Sequence, residues 1–571
     1  MIEELNIRIA GQAGQGMQTI GSALAQAYKR AGYHLFANQD YMSRVRGGNN
    51  FFQLRVSHQP VFTLREKADI IVALDKDSVA LHETFLNGDG VLAADKNKFG
   101  LDLNAAGFFD LPFYDLAAGS GGGEIFINTV ACGAILGLSE TDFVYLEAVI
   151  RDIFRDKGAE VCEKNILAAR SGYDFIRNKY KKGRFVLGSV SAARGFLLNG
   201  NEAVALGALK AGCKFYTAYP MSPSTGIMDT LAHYARAFNI VVEQAEDEIA
   251  AINMALGASF AGARSMTASS GGGFALMAEG LSLAGMTETP VVVGCVQRPA
   301  PATGLPTRTE QADLDFLISA GHGEFARIVY APGTVEEAFY LTIKAFEMAE
   351  KYQIPVLVMS DQHLADSYRD VEPFDMDKVK VQRYILSKED SRKISNYKRY
   401  RFTESGISER AVPSWIDGVV YADSDEHTEE GHITEDASMR VKMMEKRYHK
   451  KMSGLLREIV SPGSYNLESA DTVLVGFGST YGAVRELCAS GDPAGLGFVH
   501  LSQVWPFPAE EISRMLDGKA NVFTVENNAG GQLAGLIRKE TGIKVNGSIL
   551  RFDGRPFNPD YLRSEIKKRA E

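Results

Sequence analysis

Cysteine is scarce in this chain, and the few that occur stand far apart. The five are Cys132, Cys162, Cys213, Cys295 and Cys488, and no pair has C-x-x-C or comparable spacing. Zinc sites and iron–sulfur clusters need grouped thiolates, so neither is encoded here. Each cysteine reads instead as a small apolar residue in a reducing compartment. Long hydrophobic runs are also missing: no stretch reaches the roughly 18 apolar residues of a membrane span. The start, Met1-Ile2-Glu3-Glu4, has no basic segment leading an apolar one, so no signal peptide and a cytoplasmic location are expected. Positive charge is in deficit, with 71 acidic against 61 basic residues and a net charge of −10. That balance argues against nucleic acid as the main partner. A basic electron carrier remains compatible with it.

At 571 residues the chain is too long for one core, and about two to four domains are expected. Its 45% apolar and 23% charged residues suit a soluble globular protein. Near the N-terminus a short strand, residues 6–10, runs into Gly11-Gln12-Ala13-Gly14-Gln15-Gly16 and then a helix over 17–31. Strand, glycine loop and helix offer backbone N–H groups to a phosphate. The spacing is not the dinucleotide fingerprint, and no acid ends the next strand. A tight turn, or a loop for some other phosphate-bearing ligand, is the better reading. Arg44 and Arg46 beside Gly47 and Gly48 form a second polar loop, either a solvated turn or a place for an anion. Asn87-Gly88-Asp89-Gly90 precedes the short strand 91–94 as a hairpin turn does.

From about residue 200 to 361, strands and helices alternate regularly, which implies a doubly wound, parallel, helix-covered α/β sheet. The loop Thr217-Ala218-Tyr219-Pro220-Met221-Ser222-Pro223-Ser224-Thr225 contains two prolines that forbid a helix. Its hydroxyls either cap the helix that follows or face a ligand. Glu248 lies at the start of another helix, in the context Glu246-Asp247-Glu248, where the macrodipole favours acids. Thr267 to Gly273 is a strand ending in a Ser/Gly loop that includes Ser269 and Ser270. The apolar strand 290–297 ends at Arg298, and Thr303-Gly304-Leu305-Pro306-Thr307 follows as a polar loop. Loops after successive parallel strands share one edge of the sheet, where such folds bind ligands.

These residues, Tyr219-Pro220-Met221-Ser222-Pro223-Ser224, Glu248, Thr267 to Gly273, and Arg298 with Thr303 to Thr307, resemble the α subunit of 2-oxoacid:ferredoxin oxidoreductases. The N-terminal glycine loop and Arg44-Val45-Arg46-Gly47-Gly48 resemble the γ domain of the same enzymes, fused in front. The resemblance spans almost the whole chain and is closest to the 2-oxoglutarate type. It implies four regions: a γ domain over 1–190, a pyrimidine-binding-type α domain over 191–375, a charged linker over 376–465, and a transketolase C-terminal-like α/β domain over 466–571.

The resemblance also implies roles. Tyr219 and Ser222 would meet the 2-oxoacid, with serine where the family more often has threonine. Arg298 would bind its carboxylate, for which the fork of a guanidinium is suited. Glu248 would hydrogen-bond the aminopyrimidine of thiamine diphosphate, with Ser269 and Ser270 beside the cofactor. Asn87 to Gly90 has the G-D-G of a metal–diphosphate motif but lacks the asparagine that should follow. Thiamine diphosphate's Mg²⁺ and a [4Fe-4S] cluster are therefore expected on a separate β subunit, in an (αβ)₂ heterotetramer that uses coenzyme A and ferredoxin. The implied reaction is CoA-dependent oxidative decarboxylation of a 2-oxoacid, or its reverse. The best-matching substrate is 2-oxoglutarate, with pyruvate or a branched-chain 2-oxoacid as alternatives. A lipoamide-linked thiamine enzyme and a non-catalytic subunit are the competing readings. Within the linker, the acidic stretch 423–432 with His427 and His432 reads as a solvated loop rather than a metal site.

Overall fold

The computed structural model describes residues 2–570 except 44–46, 102–106, 122, 181–184, 189 and 191–194. The loop arginines Arg44 and Arg46 lie outside the described residues. Two compact units divide the chain: residues 1–198 with 366–374 and 558–571, and residues 199–365 with 375–557.

The first unit is built on an eight-stranded mixed sheet. Its order is Phe108–Asp110, Leu86–Ala94, Ala68–Ala73, Glu4–Ala13, Gly47–Ser57, His34–Asp40, Tyr368–Val371 and Phe196–Leu198. The strand Glu4–Ala13 extends past the expected residue 10 and takes in Gly11-Gln12-Ala13, and Gly16 (φ +70°) leads into the helix Met17–Arg30. A Cβ on Gly16 would lie 2.1 Å from Asn128 Nδ2, so helix packing fixes the need for glycine there. Asn87 to Gly90 do not form a hairpin turn. They lie within the strand Leu86–Ala94, as an irregularity between the pairs Ala68–Leu86 and Ile70–Val91. Asn87 is held there by Asp69 Oδ1 at 2.5 Å. Turn-forming residues bulge a strand when a neighbour pairs on both sides of them.

The second unit carries the seven-stranded sheet Gln503–Trp505, Ile328–Tyr330, Pro355–Asp361, Val291–Gln297, Ser265–Ser269, Phe215–Ala218, Val241–Gln244. All neighbours are parallel except the edge strand Gln503–Trp505. The strand Val291–Gln297 is buried at every residue, as a parallel strand covered on both faces must be. A five-stranded sheet, Gly463–Tyr465, Leu496–Leu501, Thr472–Phe477, Asn521–Glu526 and Gly547–Leu550, completes the unit. Both sheets share one core: Phe274, Val293, Cys295 and Leu317 pack with Val475, Leu501 and Leu533.

The charge-dense segment 376–465 buries several of its ions, and its acidic stretch 423–432 is less solvated than expected, with His427 buried. Its cations fold inward: Arg399, Arg410, Lys446 and Lys451 are all at most 4% exposed. In the acidic stretch, Glu426 accepts from Arg440 at 2.7 Å and from Arg447 at 2.7 and 2.8 Å. His427 is fully buried, its ring 4.1 Å from that of Tyr400. Charge density does not show this because Lys446, Lys451 and Arg399 reach partners far along the chain at Glu288. Among the described residues no single helix is long and apolar enough to cross a membrane.

Candidate functional site

Because the strands of the second unit run parallel, four adjacent ones end on the same edge. Ala218, Gln244, Ser269 and Gln297 are their last residues, and the loops singled out in the sequence leave from these points. The helix Glu248–Phe260 links the strand Val241–Gln244 to Ser265–Ser269, with Phe215–Ala218 between them in the sheet. This crossover brings the start of the helix back towards Ser269.

Asp247 caps that helix, accepting from the N–H of Ala250 at 2.7 Å. Glu248 is thus relieved of capping. Its side chain is 3% exposed and accepts a hydrogen bond from Ser269 Oγ on Oε1 at 3.2 Å. Oε2 has no partner among the described residues. A buried carboxylate with one oxygen held and one open is poised to accept from a donor outside this chain's own packing. Gly273 forms the floor beneath it: a Cβ there would stand 2.4 Å from Glu248 Oε1 and 2.0 Å from Ser269 Oγ. Replacing Gly273 with alanine therefore displaces both groups. Gly273→Ala is expected to abolish turnover of the assembled enzyme while the fold survives, read by steady-state activity beside circular dichroism. Activity within threefold of the parent would contradict this placement.

Ser269 and Ser270 are fully buried, and both hydroxyls are turned to protein partners. Ser270 Oγ lies 2.7 Å from the Met221 thioether, and Ser269 Oγ lies 3.7 Å from it. Met221 thereby ties the Tyr219-Pro220 loop to the Ser/Gly loop. Ser224 does not cap the helix Thr225–Phe238 with its side chain; its hydroxyl turns back to the carbonyl of Met221 at 2.8 Å. The loop's hydroxyls thus hold the loop's own shape as well as facing outwards: Ser222 is exposed, and Tyr219 is 41% exposed.

Arg298 Nη1 donates to the carbonyl of Ser222 at 2.8 Å, joining the end of a third strand to the same loop. Its other guanidinium nitrogens have no partner among the described residues, and partial burial lowers its pKa. The structure therefore brings Glu248, Ser269, Ser270, Ser222 and Arg298 onto one strand-end edge, linked through Met221 and the Ser222 carbonyl. Tyr219 sits on the same loop, 41% exposed, and makes no hydrogen bond to the others among the described residues.

Two features escaped the sequence reading. Asp313 lies against the Ser/Gly loop, where a Cβ on Gly271 would be 2.1 Å from Asp313 Oδ2. Its backbone is fixed by Gln297 Oε1 at 2.9 Å, and burial pushes its carboxyl up to about 6. Gln311 secures the loop after Arg298: its side chain reaches Asp361 Oδ2 at 3.4 Å and the Phe477 carbonyl at 3.0 Å. Nothing local in the sequence marks either residue, because the partners lie far along the chain.

A parallel α/β sheet whose strand ends present a buried carboxylate, a guanidinium and a Pro-rich hydroxyl loop defines a ligand-binding subunit of the doubly wound class. Residues 206–446 match the family described as pyruvate flavodoxin/ferredoxin oxidoreductase, thiamine diP-bdg. Residues 6–175 match pyruvate ferredoxin/flavodoxin oxidoreductase, and 470–561 match pyruvate:ferredoxin oxidoreductase core domain II. A 2-oxoacid:ferredoxin oxidoreductase subunit alpha from a Sulfolobus species is 34% identical, over 98% of this chain and 96% of its own. The 2-oxoglutarate synthase subunit KorA of Methanothermobacter marburgensis is 30% identical, over 65% of this chain and 98% of its own. A solved structure of 2-oxoglutarate:ferredoxin oxidoreductase from Magnetococcus marinus, with 2-oxoglutarate, coenzyme A and succinyl-CoA bound, superposes with a TM-score of 0.92. It is 30% identical and covers 100% of both chains. The chain belongs to the 2-oxoacid:ferredoxin oxidoreductases, as a subunit of the alpha type.

Proposed function

We propose that this subunit supplies the substrate-facing half of an active site for CoA-dependent oxidative decarboxylation of 2-oxoglutarate, or the reverse carboxylation. The observation that carries the reading is Glu248: buried, held on one oxygen by Ser269, and open on the other at the sheet edge where Arg298 also stands. Gly273 leaves no room for a side chain, so Glu248 Oε1 and Ser269 Oγ keep their positions against the backbone. Those features fit thiamine diphosphate, whose thiazolium supplies the nucleophilic carbon and the electron sink for the chemistry. Glu248 Oε2 would accept from the aminopyrimidine and hold a proton there. Ser269 fixes the rotamer from which it does so.

Arg298 would take the substrate carboxylate through the nitrogens not spent on Ser222, and the Ser222 hydroxyl would orient the keto group's neighbourhood. Mg²⁺ and a [4Fe-4S] cluster are assigned to a β subunit that completes the site in an (αβ)₂ assembly. Among the described residues there is no group of three or more His, Cys, Asp or Glu side chains placed to hold a metal. Exposed apolar side chains on this unit, Ile249 and Met254 on the Glu248 helix with Phe238 and Val241 nearby in sequence, support a partner-covered face. Electrons would leave through that partner to ferredoxin. The choice of 2-oxoglutarate rests on the Magnetococcus marinus and Methanothermobacter marburgensis relatives.

Arg298→Ala should raise the KM for the 2-oxoacid about 10- to 100-fold, the cost of a lost charge-assisted pair of about 1.5–3 kcal/mol. Arg298→Lys should recover only part of it, because an ammonium lacks the fork. Steady-state kinetics with the co-purified β subunit reads this. An unchanged KM in Arg298→Ala would remove Arg298 from the substrate site.

A further inference from the structure

Within the second unit, the segment 376–465 and the base of the seven-stranded sheet meet at two buried carboxylates. Glu350 accepts from Arg264 at 2.8 and 3.1 Å, from Arg383 Nε at 2.9 and 3.1 Å, and from the N–H of Tyr384 at 3.1 Å. Glu288 is paired with Lys446 and with Lys451 at 2.6 Å, and its carbonyl accepts from Arg399 at 2.6 Å. Each carboxylate is already paired with two cations.

Arg410 is the cation left over. It is 4% exposed, yet its Nε and Nη1 have no hydrogen-bond partner among the described residues. Nη2 makes one long contact, 3.5 Å to the carbonyl of Ser259, and stands 3.9 Å from Glu350 Oε1, beyond hydrogen-bond distance. The group has two carboxylates against six cations: Arg264, Arg383, Arg399, Arg410, Lys446 and Lys451. A buried charge with free donors is costly unless something neutralises it. Beside Arg410 lies a cavity of about 10 Å³, lined also by Arg399, Thr289, Phe260, Pro413 and Val420, with no acidic residue in its wall. Such a volume suits one small occupant, a water or a monatomic ion little larger than one.

We propose that this cavity binds a single monatomic anion of the chloride class, held between the guanidiniums of Arg410 and Arg399. The ion supplies the counter-charge that no side chain provides. It also joins the loop containing Arg410 to the turn at Thr289, so it fastens the charged segment to the sheet. The site is separate from the strand-end edge and takes no part in the reaction proposed above.

Crystals of the full complex grown in bromide test this directly. An anomalous peak within hydrogen-bond distance of Arg410 Nε or Nη1 is expected, and density for water alone in that cavity would overturn the proposal. In solution, exchanging gluconate for chloride at constant ionic strength should raise the melting temperature of the parent complex. Arg410→Met should remove that halide response. An equal response in both proteins would place the ion elsewhere and overturn the assignment. The bromide measurement needs no variant, so a poorly folding Arg410→Met leaves the proposal open to refutation.

Discussion

Glu248→Gln lowers turnover of the assembled enzyme about 10²- to 10⁴-fold, the range of a lost general acid–base group, and leaves its melting temperature essentially unchanged. The amide still accepts from Ser269 through its oxygen, so the packing recorded around Oε1 survives. What changes is the open position: an amide nitrogen replaces the carboxylate oxygen and can only donate. A donor there cannot accept from the aminopyrimidine or hold its proton. Glu248→Asp keeps the charge but withdraws it by one methylene, and should fall between the parent and the glutamine variant. Reduction of ferredoxin or viologen by the reconstituted complex reads the effect. Turnover of Glu248→Gln within tenfold of the parent would return Glu248 to the role of a helix-dipole acid.

The largest effect on stability is expected at Glu288. Its carboxylate is fully buried between Lys446 and Lys451, at the turn that follows the helix Ala278–Met286. Two lysines five apart on an α-helix point about 140° away from each other, since each residue advances about 100°. Here the helix passes through a π-helical turn over Glu445–Lys450, which brings positions five apart into line. Both ammonium groups therefore reach one carboxylate, and their charge, with that of Arg399, holds the Glu288 pKa well below the usual carboxylate range despite burial. Lys446, stripped of water, has its own pKa pushed down to about 7. Removing the acid leaves two buried cations without a counter-ion. Glu288→Ala should cost about 3–5 kcal/mol, read by chemical denaturation. The triple variant Glu288→Leu, Lys446→Met, Lys451→Met should recover most of that, because an apolar replacement of a whole buried ion group is often neutral. A loss below about 1 kcal/mol for Glu288→Ala would contradict the account of this cluster.

The strand-end edge was legible in the sequence for a local reason. Strands such as Val291–Gln297 are continuous apolar runs, and their ends are marked by Pro, Gly, Ser and Arg within a few residues. Glu248 was visible because the acidic run Glu246-Asp247-Glu248 marks a helix start and its context resembles the family. The ties between these loops were not visible. Met221 meets Ser270 across 49 residues, Arg298 meets Ser222 across 76, and Gln311 meets Phe477 across 166. The buried pairings of the segment 376–465 are hidden for the same reason. Lys446 and Glu288 are 158 residues apart, and a lysine that pairs in the interior reads, in sequence, like any solvated one. Asn87 to Gly90 failed differently: the residues have turn chemistry, but the flanking pairs with Ala68 and Ile70 keep them in a strand.

In the proposed function, this chain and a cluster-bearing β subunit would together oxidise 2-oxoglutarate. Co-purified with that subunit and supplied with thiamine diphosphate, Mg²⁺ and coenzyme A, the complex should reduce ferredoxin with 2-oxoglutarate faster than with pyruvate or a branched-chain 2-oxoacid, and without lipoamide. The chain alone should give no reduction under the same conditions. Ferredoxin reduction by the isolated chain, or a clear preference for pyruvate over 2-oxoglutarate in the complex, would contradict the account.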